Sequence, residues 1–503
     1  MMPQRSPDAG ERLQRAMEAH NAGRYDDAIA LYRTALALDP GLNDARHLLG
    51  LACGRNGRIL EGLRLLHGAL RAAPGHAIAQ ANLNNLRASV PYTLMGMARL
   101  ADAPPPRGDG ADLEPGRAWC AAVHSDEAFR IERLPTVVAA PDRAPLDLLA
   151  QAGYPCSLEQ RAGTATLAKL DDVHLDAGTG IIFDDRSLFL ESCSRVDPAT
   201  RIEDVDFGSP GSVFSYTDQF IVEAHTDFET GARTNRFFVQ TALVEGAPLI
   251  RRPSIWLGGT SNYYHWMLEN LTRVQVVRDF GIDDRTLQYA VEGRPTSMVV
   301  ETLGALGIDR DRILFLPPRV HRFRSLLVPS MLVPESRMAP RSIRFLRAAL
   351  PAAPHPDLPR RIYVSRKDAT MRRVANEAEI LERLKPFGVV DVSLSAMPPA
   401  RQRALFAGAE LVVGPHGAGF ANLAFCRPRT PVVELSPHRW HPCFGELSDL
   451  VPCRHHVVFP RREVQKAARV PITFDAGTNP LSMEFDPATV EQAVRRALAP
   501  SDA

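Results

Sequence analysis

The sequence predicts a mixed α/β protein: an all-helical repeat domain followed by two parallel α/β lobes. Two observations carry this. A pattern recurs near the N-terminus at an offset of 34 residues, and from Arg360 onward strand-like apolar runs alternate with helical ones. At 503 residues the chain exceeds one ordinary domain. With 45% hydrophobic and 23% charged residues it can bury real cores, and no window is apolar enough to span a membrane. A net charge of +1 gives no electrostatic reason to expect nucleic acid as a partner. Seven scattered cysteines without a CxxC pair argue against a disulfide framework. The N-terminus shows no apolar signal core, so a cytoplasmic protein is expected.

The repeat comes first. NAGRYDDAIALYRTALALDP (21–40) aligns with RNGRILEGLRLLHGALRAAP (55–74), pairing Gly23 with Gly57, Ala28 with Gly62, Tyr32 with Leu66, Ala35 with Ala69 and Pro40 with Pro74. Small residues let paired helices approach, and proline ends the second helix. The pattern resembles the tetratricopeptide repeat, with about two repeats and a capping helix over 76–90. Such repeats form a groove for a protein partner or a stalk; both readings stay open.

ADAPPPRGDGADLEPG (101–116) reads as a linker. Expected boundaries are repeats over 10–100, linker and irregular segment over 101–153, a first lobe over 154–345 and a second over 346–495. Runs such as GTGIIFDDRSLFLES read as strands joined by Asp-Asp turns. In the second lobe RRIYVSR, VVDVSL, ELVVG and PVVELSP are strands, while NEAEILERLKPFG, PARQRALFAGA and GFANLAF are helices. That alternation predicts a parallel sheet covered on both faces, with ligands bound beyond the carboxyl ends of its strands.

Three stretches carry candidate chemistry. In GPHGAG, Gly417 and Gly419 leave backbone open to a phosphate, and His416 adds a donor beside it. The plain alternative is a tight strand–helix turn. Ser365-Arg366-Lys367-Asp368 and Arg372-Arg373 bring guanidinium groups to the same sheet end, where they suit a diphosphate or form a solvated basic loop. Glu434 closes a strand where a carboxylate can hold ribose hydroxyls or cap a turn. In GGTSNYYHWMLENLTR, His265 and Glu269 lie four apart on one helical face, which suits a general base. Tyr263, Tyr264 and Trp266 could stack on sugar rings, or the helix is a buried aromatic one. The Asp pairs 171–172, 184–185 and 283–284 read as turns. The run His438, His441, Cys443, Cys453, His455 and His456 has no standard zinc spacing.

Together NYYHWMLENLTR, IYVSRKDATMRRVANE and VVGPHGAGFANLAFCRPRTPVVEL resemble glycosyltransferase family 61, over roughly 155–490. The resemblance implies a GT-B-like pair of Rossmann-type lobes and inverting transfer from a nucleotide sugar, UDP-linked in the first instance, to a glycan hydroxyl in polysaccharide or glycoconjugate assembly. No metal or other cofactor is expected. His265 matches the family's first-lobe histidine; from the chemistry of the transfer we expect it as base, supported by Glu269, with acceptor contacts from Asn262, Tyr263 and Trp266. Arg366, His416, Gly417, Gly419 and Glu434 match the family's pattern in the donor lobe, and with Arg373 and Asn422 they make up the expected nucleotide-sugar site. Glu269 stands where many relatives have Asp, and Thr272 where proline is frequent. The alternatives are a protein O-glycosyltransferase whose repeats present the acceptor, and a repeat scaffold that binds nucleotide without turnover.

Overall fold

The structure is a computed structural model that describes residues 7–73, 75–88, 92–98, 100, 113, 118–124, 127–130, 136–138, 159–162, 164–189, 220–226, 233–240, 244–330, 339–369, 372–437, 443–460, 462–463 and 482–499. The proline-rich stretch 101–116 therefore lies, but for Leu113, outside the described residues, as do His438 and His441. The chain forms two compact units that interleave in sequence. One holds 1–98, 182–190 and 200–248; the other holds 99–181, 191–199 and 249–503.

The first unit opens with five helices: α1 (Pro7–Asn21), α2 (Tyr25–Leu38), α3 (Asn43–Arg55), α4 (Ile59–Ala72) and α5 (Ala77–Ala88). The 34-residue offset is visible in the backbone. Gly23 and Gly57 both have positive φ, +73° and +79°, and the next residue's N–H reaches back to Ala19 and Cys53 at 2.9 Å each. Glycine takes this left-handed helix end without a Cβ penalty. Tyr32 and Ala35, with their counterparts Leu66 and Ala69, are all fully buried. A Cβ on Gly62 would lie 2.7 Å from the Gly50 carbonyl oxygen, so α3 and α4 meet backbone to backbone.

The capping helix expected over 76–90 runs from Ala77 to Ala88, and Tyr92–Ala98, inside the expected repeat bounds of 10–100, is a strand. Pro91 and the β-branched Thr93 disfavour further helix. This strand pairs antiparallel with Arg233–Gln240, itself antiparallel to Phe220–Thr226, and parallel with Ser187–Phe189. The expected Asp-Asp turn precedes Ser187, with the Asp184 carboxylate accepting from the N–H groups of Arg186 and Ser187.

The second unit carries two sheets with parallel strands. In the first, β1 (Ser254–Gly258), β2 (Gln288–Glu292), β3 (Ile313–Leu316) and β4 (Val320–Pro329) lie in the order β3-β2-β1-β4, all parallel. Ala165–Asp176 adds antiparallel to β4. In the second, β5 (Arg361–Val364), β6 (Val390–Val392), β7 (Leu411–Pro415), β8 (Pro431–Leu435) and β9 (Arg454–Val458) lie in the order β6-β5-β7-β8-β9, and Thr136–Val138 extends the edge; every pairing is parallel. Each order reverses once, between β1 and β4 and between β5 and β7. Such reversals open a crevice at the carboxyl ends of the strands.

Both faces of the second sheet are buried, which explains its near-continuous apolar strands. Tyr363, Leu411, Val413 and Val433 pack with Ile380 and Leu384 of α6 (Glu377–Leu384) and Val490 and Val494 of the C-terminal helix. Ile362, Val412 and Val432 face the other way. There they join one apolar cluster that continues through Phe420 and Phe444 to Trp266, Leu257 and Ile255 of the first sheet. Among the described residues no helix is long and apolar enough to cross a membrane.

Candidate functional site

Crevice chemistry starts at the end of β5. The chain leaves Val364 into Ser365 and Arg366, while β7 leaves Pro415 into His416 and Gly417, so both segments emerge at the β5/β7 reversal. A Cβ built on Gly417 would fall on the Arg366 guanidinium. Gly417 has φ −174°, ordinary extended backbone, so the glycine is needed for room and not for torsion. At Gly419 a Cβ would meet the Leu394 side chain at 2.6 Å. The missing side chain at 417 thus admits Arg366, and that at 419 admits Leu394. A cavity of about 130 Å³ lies here, lined by Ser365, Arg366, Asp368, Ser395, Gly417 and Gly419 among others. That is room for a phosphate-sized group, less than the ~300–1,000 Å³ of a whole small-molecule pocket.

The segment after Gly417, 418–425, is a 3₁₀-helix and not the expected α-helix. Phe420 through Phe425 are all buried in it, and Asn422 turns its side-chain amide back onto the Gly419 carbonyl at 3.1 Å. Local side-chain bonding of this kind competes with α-helical pairing.

His416 is 5% exposed and its Nδ1–H donates to Glu434 at 2.5 Å. Glu434 is completely buried, and its other oxygen accepts from His455 Nε2–H at 2.8 Å. Ser448 Oγ lies 2.7 Å from His455 Nδ1. Burial by itself would raise the Glu434 carboxyl, but the bonds from His416 and His455 prevail and hold it at about 2. Burial lowers the pKa of His416 and Glu434 opposes that; Arg372 and Arg366 lower it further. Glu434 therefore does not fit a ribose-binding role, since both its oxygens are taken inside the protein.

The arginine pair also sorts differently from expectation. Arg373 is exposed, with its Nε–H on the Ala369 carbonyl at 2.5 Å, away from the histidine cluster. Arg372 faces inward beside Glu434 and His416, with a left-handed φ of +56°. Strand alternation was the available signal for Arg373, which adjoins the buried Val374 and so points outward. Burial, and next the charge of Arg372, lower the Arg366 guanidinium to about 10, still cationic at neutral pH.

Opposite this turn, Asn262 caps a short helix by accepting from Tyr264 N–H at 2.9 Å. Helix Tyr263–His265 passes into a π-helical turn, Trp266–Asn270, where Leu271 N–H reaches Trp266 O at 2.8 Å. Such turns recur at functional sites. His265 Nδ1 lies 2.9 Å from Glu269 Oε2, with side-chain exposures of 33% and 15%, so the expected pair forms at an accessible position. Thr272, in the place of proline, donates its hydroxyl to Leu268 O at 2.9 Å. Arg273, which the sequence did not single out, is 8% exposed beside Glu269, and burial lowers its guanidinium to about 10.

The three expected acceptor residues all have partners inside the protein. Trp266 is fully buried and donates to Thr302 at 2.9 Å, so it cannot stack on an acceptor. Tyr263 donates to Asn422 Oδ1 at 2.9 Å, and Asn422, fully buried, donates to Gln402 at 3.1 Å. This bond ties the His265 helix to the 3₁₀-helix after Gly417. Asn262 spends its side chain as a cap. Phe444 bridges the two sides, its ring 4.7 Å from His416 and 5.5 Å from Tyr264.

Both candidate segments fall inside one family match: residues 263–433 match the model of Glycosyltransferase 61. The match covers about a third of the chain. Residues 20–57 match a TPR repeat, which agrees with α1 to α3. No curated protein matches the chain. The matched family is one of glycosyltransferases, enzymes that take a sugar donor and an acceptor, and the repeat match points to protein interaction. Beyond the matched residues Cys443, Cys453 and His455 lie buried, and His455 is bonded to Glu434 and Ser448. Among the described residues no group of three or more His, Cys, Asp or Glu is arranged to hold a metal ion.

Proposed function

We propose that the second unit is a GT-B-like transferase that moves a sugar from a nucleotide sugar to an acceptor hydroxyl with inversion. The observation that carries this is the Arg366 guanidinium seated over Gly417 at the β5/β7 reversal, with Arg372 and His416 beside it. The diphosphate binds there, and these cations offset the charge that develops as the glycosidic bond breaks, without a divalent ion. The acceptor enters on the β1 side, where His265, oriented by Glu269, removes the hydroxyl proton. Turnover against a panel of UDP- and GDP-sugars, read as nucleoside diphosphate release, tests the reading. Release with at least one donor is expected; none with any donor leaves a nucleotide-binding scaffold as the better account. His265→Ala should lower turnover at saturating acceptor by about 10²–10⁴-fold, and unchanged turnover removes it as base.

The repeats favour a second reading, in which the acceptor is a protein. Removal of residues 1–88 is the fitting truncation, because the strand Tyr92–Ala98 belongs to the sheet of the first unit and must stay. Loss of transfer to protein with transfer to glycan retained supports this reading.

A further inference from the structure

We propose that His416 receives the diphosphate as an imidazolium, taking up its proton when the ligand binds, and that His455 and Ser448 are positioning residues for that event. This rests on the nucleotide-sugar reading above. The geometry is a buried line of hydrogen bonds: Ser448 to His455 at 2.7 Å, His455 to Glu434 at 2.8 Å, Glu434 to His416 at 2.5 Å. An ionised carboxylate only accepts, so both histidines must direct an N–H at Glu434. His416 therefore carries its proton on Nδ1, and His455 on Nε2. His455 Nδ1 is left as an acceptor, which Ser448 fills with its hydroxyl proton. The chain then has one open position, His416 Nε2, which makes no hydrogen bond among the described residues.

A neutral His416 presents a lone pair at Nε2, and a lone pair repels phosphate oxygens. Protonation turns it into a donor. Around the ring stand Glu434 on β8, Arg366 after β5 and Arg372 before Val374, with Cys443, Glu446 and Tyr264 beyond Phe444. Without ligand, burial disfavours a positive charge on the ring; Glu434 opposes that, and Arg372 and Arg366 add to it. A bound diphosphate reverses that balance, and Glu434 is already placed to share the new charge through Nδ1. Cleavage of the glycosidic bond adds a negative charge to the diphosphate, so the proton is held more tightly by the product than by the intact donor. The site thus gains affinity as the bond breaks, which is what acceleration requires.

The test is calorimetric titration of the full chain with UDP and with GDP at pH 8, in Tris and in EPPS, whose ionisation heats differ. The terminal phosphate, with its second pKa near ~6, is then already ionised and contributes little. The slope against buffer ionisation heat gives the protons taken up, expected at about half to one per bound nucleotide. His416→Gln should abolish the uptake, and Ser448→Ala and His455→Leu should reduce it while nucleotide still binds. Binding without proton uptake in the wild-type protein overturns the inference and leaves the transferase reading standing. If neither nucleotide binds, both fall. The wild-type measurement decides even where a buried variant fails to fold.

Discussion

Glu434→Leu should lower the unfolding free energy of the second unit by about 3–5 kcal/mol at neutral pH. Glu434 is fully buried and accepts from two buried imidazoles, so the substitution strands two N–H donors with no water to replace the acceptor. The pH dependence makes the expectation sharper. Held at about 2 in the folded chain, the carboxylate contributes stability that is fully present above its ordinary value of 4.5 and is lost as pH falls from there through about 2. The lowered pKa of His416 adds a separate loss that begins as pH falls below 6.5, because the unfolded chain then binds the proton more readily. The gap between wild type and Glu434→Leu should therefore be wide at pH 7 and narrow markedly near pH 3, followed by urea unfolding at each pH. A gap that stays constant across that range would show that Glu434 is not held ionised by its histidines.

Glu434 also marks how far this site can be read from sequence. The alternation of strand and helix after Arg360, the glycine turn at 414–419 and the 34-residue repeat are local patterns, and each appears where period and turn chemistry place it. The His265–Glu269 pair is likewise local, a matter of one helical face. What escaped prediction is set by contacts between distant segments. Val432 pairs with His455 in the β8–β9 register, which puts the imidazole on the same face as Glu434, and nothing in either strand alone announces that register. Trp266 looks like a sugar platform by residue type, but burial decides, and burial comes from Thr302 and the shared core. Gly417 was rightly singled out as a close approach, yet the approaching group is a side chain of the same protein, 51 positions earlier in the sequence. The outward place of Arg373 was open to strand alternation, once Val374 is taken as the inward residue.

That side chain leads to the second large effect. Arg366→Ala should reduce kcat/KM by about 10²–10³-fold while leaving the melting temperature close to that of the wild type. Arg366 is only half-buried and belongs to neither apolar cluster, so its removal opens space at the cavity without hollowing a core. Its charge faces the same turn as His416, and loss of one cation from a partly dehydrated site weakens the hold on a departing diphosphate more than on an intact donor. The fall should therefore appear in kcat as well as in KM. Arg366→Lys should recover only part of it, because an ammonium cannot present the planar fork that lies against Gly417 and meets two phosphate oxygens at once. Gly417→Ala supplies the converse test: it keeps the arginine but puts a methyl group where the guanidinium lies, and should impair turnover by displacing Arg366. Near-normal turnover in Arg366→Ala, with the fold intact, would remove the β5/β7 crevice as the seat of the leaving group.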